Sequence, residues 1–320
     1  MTRGADDLEG WAQLCPDCVG KAGDNGFLRF RLRQALTERS AAKAGVSASV
    51  ATAPIAASVP ATAASSSAAA APAPPAAATL PAGATTAHAT PTLDRALIDY
   101  YEARAPEYDD WYLRRGRYER GAIHDAAWNA ELDAAGRWLD GLPWHGELVE
   151  LAAGTGWWSP LLASRGDLSL YDTSPSALDR ARERLVAHGL RAHLHVRDAW
   201  ESPDRQVDGV FAGFWLSHVP RERLPEFLGL VRRWLKPGGR FACIDSLDDA
   251  ASGAVDHPTP TGDRAVRRLD DGREFTIVKV FYEPGELATA LTATGFVDVD
   301  VTTSGRFFLL GSAVAGEGTA

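Results

Sequence analysis

Residues able to bind or react stand at the ends of several apolar runs in this chain. Leu148-Val149-Glu150-Leu151-Ala152-Ala153 leads into the turn Gly154-Thr155-Gly156, a second run ends in Tyr171-Asp172, a third in Arg197-Asp198-Ala199-Trp200, and a fourth in Gly213-Phe214-Trp215-Leu216-Ser217-His218. Glycine has no Cβ and tolerates positive φ, so a ligand can come close to the backbone of such a turn. A carboxylate at 172 is placed to accept two hydrogen bonds from ribose hydroxyls. Asp198 can accept from an exocyclic amine such as that of adenine, and a neighbouring indole can cover a purine face. His218 offers an imidazole that a small shift keeps neutral and able to take a proton. Each residue also has a plainer reading: a helix N-cap for Asp172, a turn former for Asp198, and a helix-start histidine for His218.

The elements that must position these residues alternate. The patterning predicts helices over roughly 93–105 and 117–139, then strand 147–152, helix 158–165, strand 168–172, helix 175–188 and strand 191–196. Strand 207–213, helix 221–235, strand 239–245, helix 284–294 and a closing strand pair at 296–302 and 306–312 follow. Helices of this length between strands imply right-handed crossovers and a parallel sheet covered on both faces. The final pair, joined by Thr303-Ser304-Gly305, predicts a C-terminal antiparallel hairpin. The expected architecture is a doubly wound, mostly parallel seven-stranded α/β sheet, whose ligands sit outside the carboxyl ends of the strands.

With these motifs in this order, the chain from about 98 to 312 resembles the class I S-adenosylmethionine-dependent methyltransferases of the small-molecule type, which are Rossmann-like. Glu150 through Gly156 resembles their first motif, Asp172 their ribose-binding acid and Asp198 the acid near adenine. Leu216-Ser217-His218-Val219-Pro220 and Leu235-Lys236-Pro237-Gly238-Gly239-Arg240 resemble the segments around their fourth and fifth strands. Tyr100-Tyr101-Glu102-Ala103-Arg104-Ala105-Pro106-Glu107-Tyr108-Asp109 is similar to the N-terminal cap helix in which aromatic and basic residues close over the cofactor. The resemblance implies S-adenosyl-L-methionine as cofactor, held by Tyr101, Tyr108, Glu150, Ala152, Gly154, Gly156, Asp172, Asp198, Ala199 and Gly213, with Glu150 facing the ammonium.

Two other classes stand beside this one. An NAD-dependent oxidoreductase would carry Gly or Ala at 159, whereas Ser159 follows Trp157-Trp158, and two indoles would crowd a pyrophosphate. A non-catalytic sensor would use the same pocket without turnover. For the methyltransferase, catalysis is mainly positioning of the nucleophile and exclusion of water, with His218 the general base where the acceptor carries a proton. Trp111, Tyr112, Trp157, Trp158 and Trp215, if they form one wall, favour a small, apolar or aromatic acceptor; core packing is the alternative. In the run from Arg267 to Tyr282, Asp271-Gly272 suggests a hairpin. Its Arg273, Lys279 and Tyr282 are substrate contacts on one reading and parts of a solvated hairpin on another.

Composition bounds the rest. The net charge of -9 argues against a nucleic-acid footprint, and no Asn-Pro-Pro-Tyr-like motif occurs. No run reaches the roughly 20 apolar residues of a membrane span. An odd set of three cysteines and the absence of a secretion signal point to the cytoplasm. Residues 1–40 form a short head with Cys15 and Cys18 and an amphipathic run over 27–36 that packs on its own chain or on a protein partner. The two cysteines suit half a zinc site, a redox pair or an incidental knuckle, and no second ligand pair lies near them in sequence. Residues 41–91, rich in Ala, Pro, Ser and Thr, are expected to be a disordered linker. The methyltransferase domain is expected over 92–313, with a tail over 314–320.

Overall fold

The computed structural model describes residues 91–317. The head with Cys15 and Cys18, almost all of the 41–91 segment and the last three residues lie outside the described residues.

Among the described residues nine strands follow in chain order: β1 (Glu147–Leu151), β2 (Asp167–Asp172), β3 (His193–Val196), β4 (Val207–Gly213), β5 (Leu235–Ser246), β6 (Arg264–Arg268), β7 (Glu274–Val278), β8 (Phe296–Thr303) and β9 (Phe308–Ala315). Seven form one sheet in the order β3-β2-β1-β4-β5-β9-β8, and β6 pairs with β7 in a separate hairpin. Strands β1 to β5 are parallel, while β9 runs antiparallel to both β5 and β8. The chain winds outward from β1 to β3, then returns to lay β4 on the other side of β1. The order therefore reverses between β1 and β4, which opens a crevice at their carboxyl ends. β9 extends past the expected end of the domain to Ala315.

Central strands are covered on both faces, so β1 and β2 are buried at every position after the first, the polar Glu150 and Ser169 included. Alternate residues of each strand still serve opposite faces. In β5, Ala242 and Ile244 join the cluster under α3 (Ala122–Gly141), α4 (Ser159–Ala163) and α5 (Pro175–Ala187). Phe241 and Cys243 join the cluster under α6 (Leu224–Trp234) and α7 (Pro284–Ala293). In α6, Leu224, Phe227, Leu228, Val231 and Trp234 recur at helical spacing and are buried.

A third, smaller cluster positions the site. Tyr100 of α1 (Pro91–Arg104) packs with Ala265, Leu269 and Ile277 of the β6–β7 hairpin. At the same helix, Glu102 accepts from Ser174 Oγ and Ser176 Oγ, both at 2.5 Å, which pins α1 to the start of α5. The cap helix is thus fixed over the carboxyl ends of the strands.

Three local expectations shift. A six-residue helix, α2 (Tyr108–Leu113), occupies a stretch that periodicity did not mark, because six residues give too few repeats to read. The helix expected from 117 begins at Ala122, after Gly121 at φ 90°. Lys236-Pro237-Gly238-Gly239 is a bulge within β5, between Leu235 opposite Val207 and Arg240 opposite Gly209.

Candidate functional site

The crevice at the strand ends is a cavity of about 730 Å³. Tyr101, Tyr108, Ala152, Gly154, Asp172, Asp198, Ala199 and Gly213 line it, joined by Trp200, Phe214, Trp215 and His218. Asp172 holds the turn to the second strand: its Oδ2 accepts from Gly154 N at 2.8 Å and its Oδ1 from Ser174 N at 2.8 Å. Each oxygen keeps a further lone pair for a hydroxyl donor. Asp172 does not cap α5, because Ser174 does so by accepting from Ala177 N. Burial in the first place pushes the Asp172 carboxyl up to about 6, against the pull of its two backbone donors. Asp198 serves two purposes, since its Oδ1 accepts from Trp200 N and shapes the turn while the residue lines the cavity.

The backbone bends sharply around this cavity. Ala152 at φ 50° and Phe214 at φ 56° are non-glycine residues in the left-handed region, and both line it. Such conformations cost about 1–3 kcal/mol each and persist where the surroundings fix them. Phe214 N is held by Ile244 O at 2.6 Å.

Two assigned cofactor contacts move elsewhere. Glu150 is buried beneath the turn and accepts from Ser159 Oγ at 2.6 Å rather than lining the cavity. Burial pushes its carboxyl up to about 8, so near neutral pH it is largely uncharged and is no ready-made partner for an ammonium. Gly156 also lies away from the cavity. A Cβ there would stand 2.7 Å from the Ala181 Cβ, so this glycine lets the turn pack on α5. The amino end of α4 is covered by α2: Thr155 Oγ1 donates to Asp109 at 2.6 Å, and Trp157 stacks on Tyr112 at 4.1 Å with the planes 2° apart.

A second cavity of about 160 Å³ lies behind the first. Tyr101, Tyr108, Phe214 and His218 line both and form the partition. His218 Nδ1 lies 2.7 Å from Val278 O, a pure acceptor, which puts the proton on Nδ1. Its Nε2 is then the acceptor for the Tyr101 hydroxyl at 2.6 Å. Burial, then Lys279, holds the imidazole well below its usual range, hence neutral.

The expected aromatic wall does not form as one surface. Tyr112, Trp157 and Trp158 pack in the core, Trp215 lines the large cavity and Trp111 the small one. Arg273 lies in the exposed hairpin turn paired with Asp271, and Tyr282 donates to Val219 O at 2.7 Å, so neither reaches a cavity. Reading by sequence passed over Arg267 and Tyr118 of the small cavity and gave Arg104 no role of its own. Of the three only Arg104 carried a signal, as the basic end of the cap helix. Among the described residues no cluster suits a metal ion, and no helix is long and apolar enough to cross a membrane.

A doubly wound α/β sheet with a nucleoside-sized crevice at its switch point, an acid at the second strand end and a capping helix define a Rossmann-like nucleoside-binding protein. Similarity to known proteins narrows this. Residues 148–239 match the family described as "Methyltransferase domain". The demethylmenaquinone methyltransferase of Symbiobacterium thermophilum is 29% identical over 166 residues, taking in 46% of this chain and 63% of that protein. The ubiquinone/menaquinone biosynthesis C-methyltransferase UbiE of Desulfotalea psychrophila is 32% identical, over 34% of this chain and 45% of its own length. The chain thus spans about half to two thirds of these curated relatives. A solved structure of DhpI in complex with SAH is 31% identical with a TM-score of 0.57, covering 72% of this chain and all (100%) of that one. The chain belongs to the class I S-adenosylmethionine-dependent methyltransferases.

Proposed function

We propose that the protein transfers a methyl group from S-adenosyl-L-methionine to a small-molecule acceptor. The observation that carries this reading is the pairing of two cavities across one partition: a nucleoside-sized crevice ending on Asp172 and Asp198, and a smaller one on the far side of Tyr101 and His218. The cofactor fits the first by volume, by the donor-held carboxylate of Asp172 and by the open approach to Gly154, where a Cβ would meet nothing nearer than the Tyr108 ring at 3.9 Å. When bound, it supplies an activated methyl on a sulfonium, which bonds to the acceptor's lone pair while the carbon–sulfur electron pair stays on sulfur. The relatives named as quinone-biosynthesis methyltransferases and the DhpI complexes with SAH and with SAM and HEP support a small acceptor.

The chain's own part is positioning and proton handling. Asp172 and Asp198 fix the nucleoside, α1 excludes water, and Tyr101 with His218 takes a proton where the acceptor has one to lose. Tyr101 Oη would accept it while passing its own to His218 Nε2. Trp111, Tyr108 and Phe214 supply an apolar wall on the acceptor side. Calorimetric binding of S-adenosylhomocysteine tests the reading; tight binding of NAD in its place would replace it with the oxidoreductase alternative, and donor binding without turnover on any acceptor would favour a sensor.

A further inference from the structure

The small cavity gathers cations that the donor site does not use. Arg104 is 8% exposed and Lys279 9%, and both line the cavity, as does Arg267. Among the described residues Arg104 makes no carboxylate pair. Its Nη2 donates to Tyr118 Oη at 3.4 Å, its Nε has no partner, and its guanidinium lies 4.4 Å from the Tyr108 ring centroid. Arg267 donates only to its neighbour's carbonyl, Val266 O, at 3.3 Å. Lys279 donates to Ser217 Oγ at 2.8 Å and to Ser246 Oγ at 3.3 Å, with Asp245 Oδ1 at 3.7 Å. Two more carboxylates line the cavity, but Asp249 is engaged by Arg306 and Asp248 is exposed. Asp245 opposes Lys279, Glu107 acts on Arg104 only through space, and ring faces and hydroxyls compensate a buried guanidinium only in part, so the pocket keeps an excess of positive charge.

Resting on the methyl-transfer reading, we propose that the small cavity is the acceptor site and takes a compact molecule bearing an oxyanion, a carboxylate or a phosphorus oxyanion, held by Arg104, Arg267 and Lys279. A guanidinium suits either anion, since its fork of donors matches two oxygens at once. At about 160 Å³ against about 730 Å³ for the donor crevice, the cavity suits a small acceptor. The anion also links binding to chemistry. After burial, Lys279, Arg267 and Arg104 are what hold the His218 imidazole down. An oxyanion among them offsets that field and makes the imidazole more basic when the acceptor arrives.

The test titrates inorganic phosphate and acetate, with neutral acetamide as control, into the full chain by calorimetry, with and without saturating S-adenosylhomocysteine. Phosphate binding in preference to acetate assigns a phosphorus oxyanion, and the reverse a carboxylate; either supports the site. Arg267→Gln, at a half-buried position, should lower anion affinity about tenfold or more and leave S-adenosylhomocysteine affinity within about twofold. Lys279→Met provides a second reading should one variant fold poorly. Acetamide binding as well as the anions overturns the proposal. So does S-adenosylhomocysteine affinity falling in step with anion affinity, because the cations would then serve the donor's own carboxylate. Anion binding without S-adenosylhomocysteine binding would strike the methyl-donor reading and leave the oxyanion site standing. S-adenosylhomocysteine binding with no anion binding would strike this inference alone.

Discussion

The Tyr101 hydroxyl meets His218 Nε2 at 2.6 Å across 117 residues of sequence, joining the cap helix to the loop after the fourth strand. On the proposed mechanism this contact makes the two side chains one proton-accepting unit. His218→Ala and Tyr101→Phe should each lower turnover on a protonated acceptor by about 100-fold or more. Cofactor affinity should change little in the first. The double variant should fall short of the product of the two, as for residues acting as a unit. Steady-state kinetics beside S-adenosylhomocysteine calorimetry checks this, and full activity in either single variant would remove the unit from the mechanism.

Donor binding should depend on pH through Asp172. Its carboxyl is pushed up to about 6 chiefly by burial, and only the ionised form can accept from two ribose hydroxyls. S-adenosylhomocysteine affinity should be level above that value and weaken as pH falls through it, approaching about tenfold per pH unit. Asp172→Asn should bind more weakly and lose this dependence. Calorimetry across the acid range measures both, and a flat wild-type profile would contradict the assignment.

Glu150 makes a stability prediction of definite sign. Its carboxyl ionises near 4.5 in the unfolded chain and at about 8 when folded, so between those values the unfolded state holds fewer protons. Stability from this group is therefore complete below the lower value and is lost as pH rises through the upper. Glu150→Gln does not titrate and can still accept from Ser159. Its melting temperature should gain on the wild type as the solution is taken from mildly acidic to mildly alkaline. Calorimetric scans that stay parallel would refute this.

The two glycines of the turn should behave differently. Gly156→Ala combines φ +70° with a Cβ 2.7 Å from Ala181 Cβ and 2.9 Å from Ala181 Cα, and should cost about 2 kcal/mol or more of stability. Gly154→Ala meets only an ordinary contact, so it should cost about 1 kcal/mol of backbone strain and act on donor binding. Equal melting temperatures in the two variants would show that the packing argument is wrong.

Arg273 and Tyr282 provide the matching controls. Arg273→Ala alters an exposed hairpin turn and should leave acceptor kinetics unchanged. Tyr282→Phe removes a buried hydrogen bond to Val219 O and should cost about 1 kcal/mol of stability with an unchanged KM. A raised KM in either would return these residues to the acceptor site.

The sheet and its order of elements were legible because apolar runs, helical periods and turn residues are local properties. β4 was read to the residue, and most other boundaries to within about two. The donor-side acids were legible for the same reason, since a strand end fixes where its next side chain stands. Glu150 and Gly156 belong to the same motif, yet their roles turned on what lies behind them: Ser159 for one and Ala181 for the other. Sequence marks a residue's place on its own element and says nothing of the element packed against it.

What the sequence determined alone is therefore the doubly wound sheet, the turn after its first strand and the acids at the next two strand ends. Tertiary structure decided which aromatics line a cavity, that Tyr101 and His218 are hydrogen-bonded to each other, and that Arg104, Arg267 and Lys279 meet in one small cavity. Those cations come from a helix and a hairpin more than 160 residues apart in the chain. Charges so distant interact only once packing removes the water that would screen them, and that burial is a property of the assembled fold.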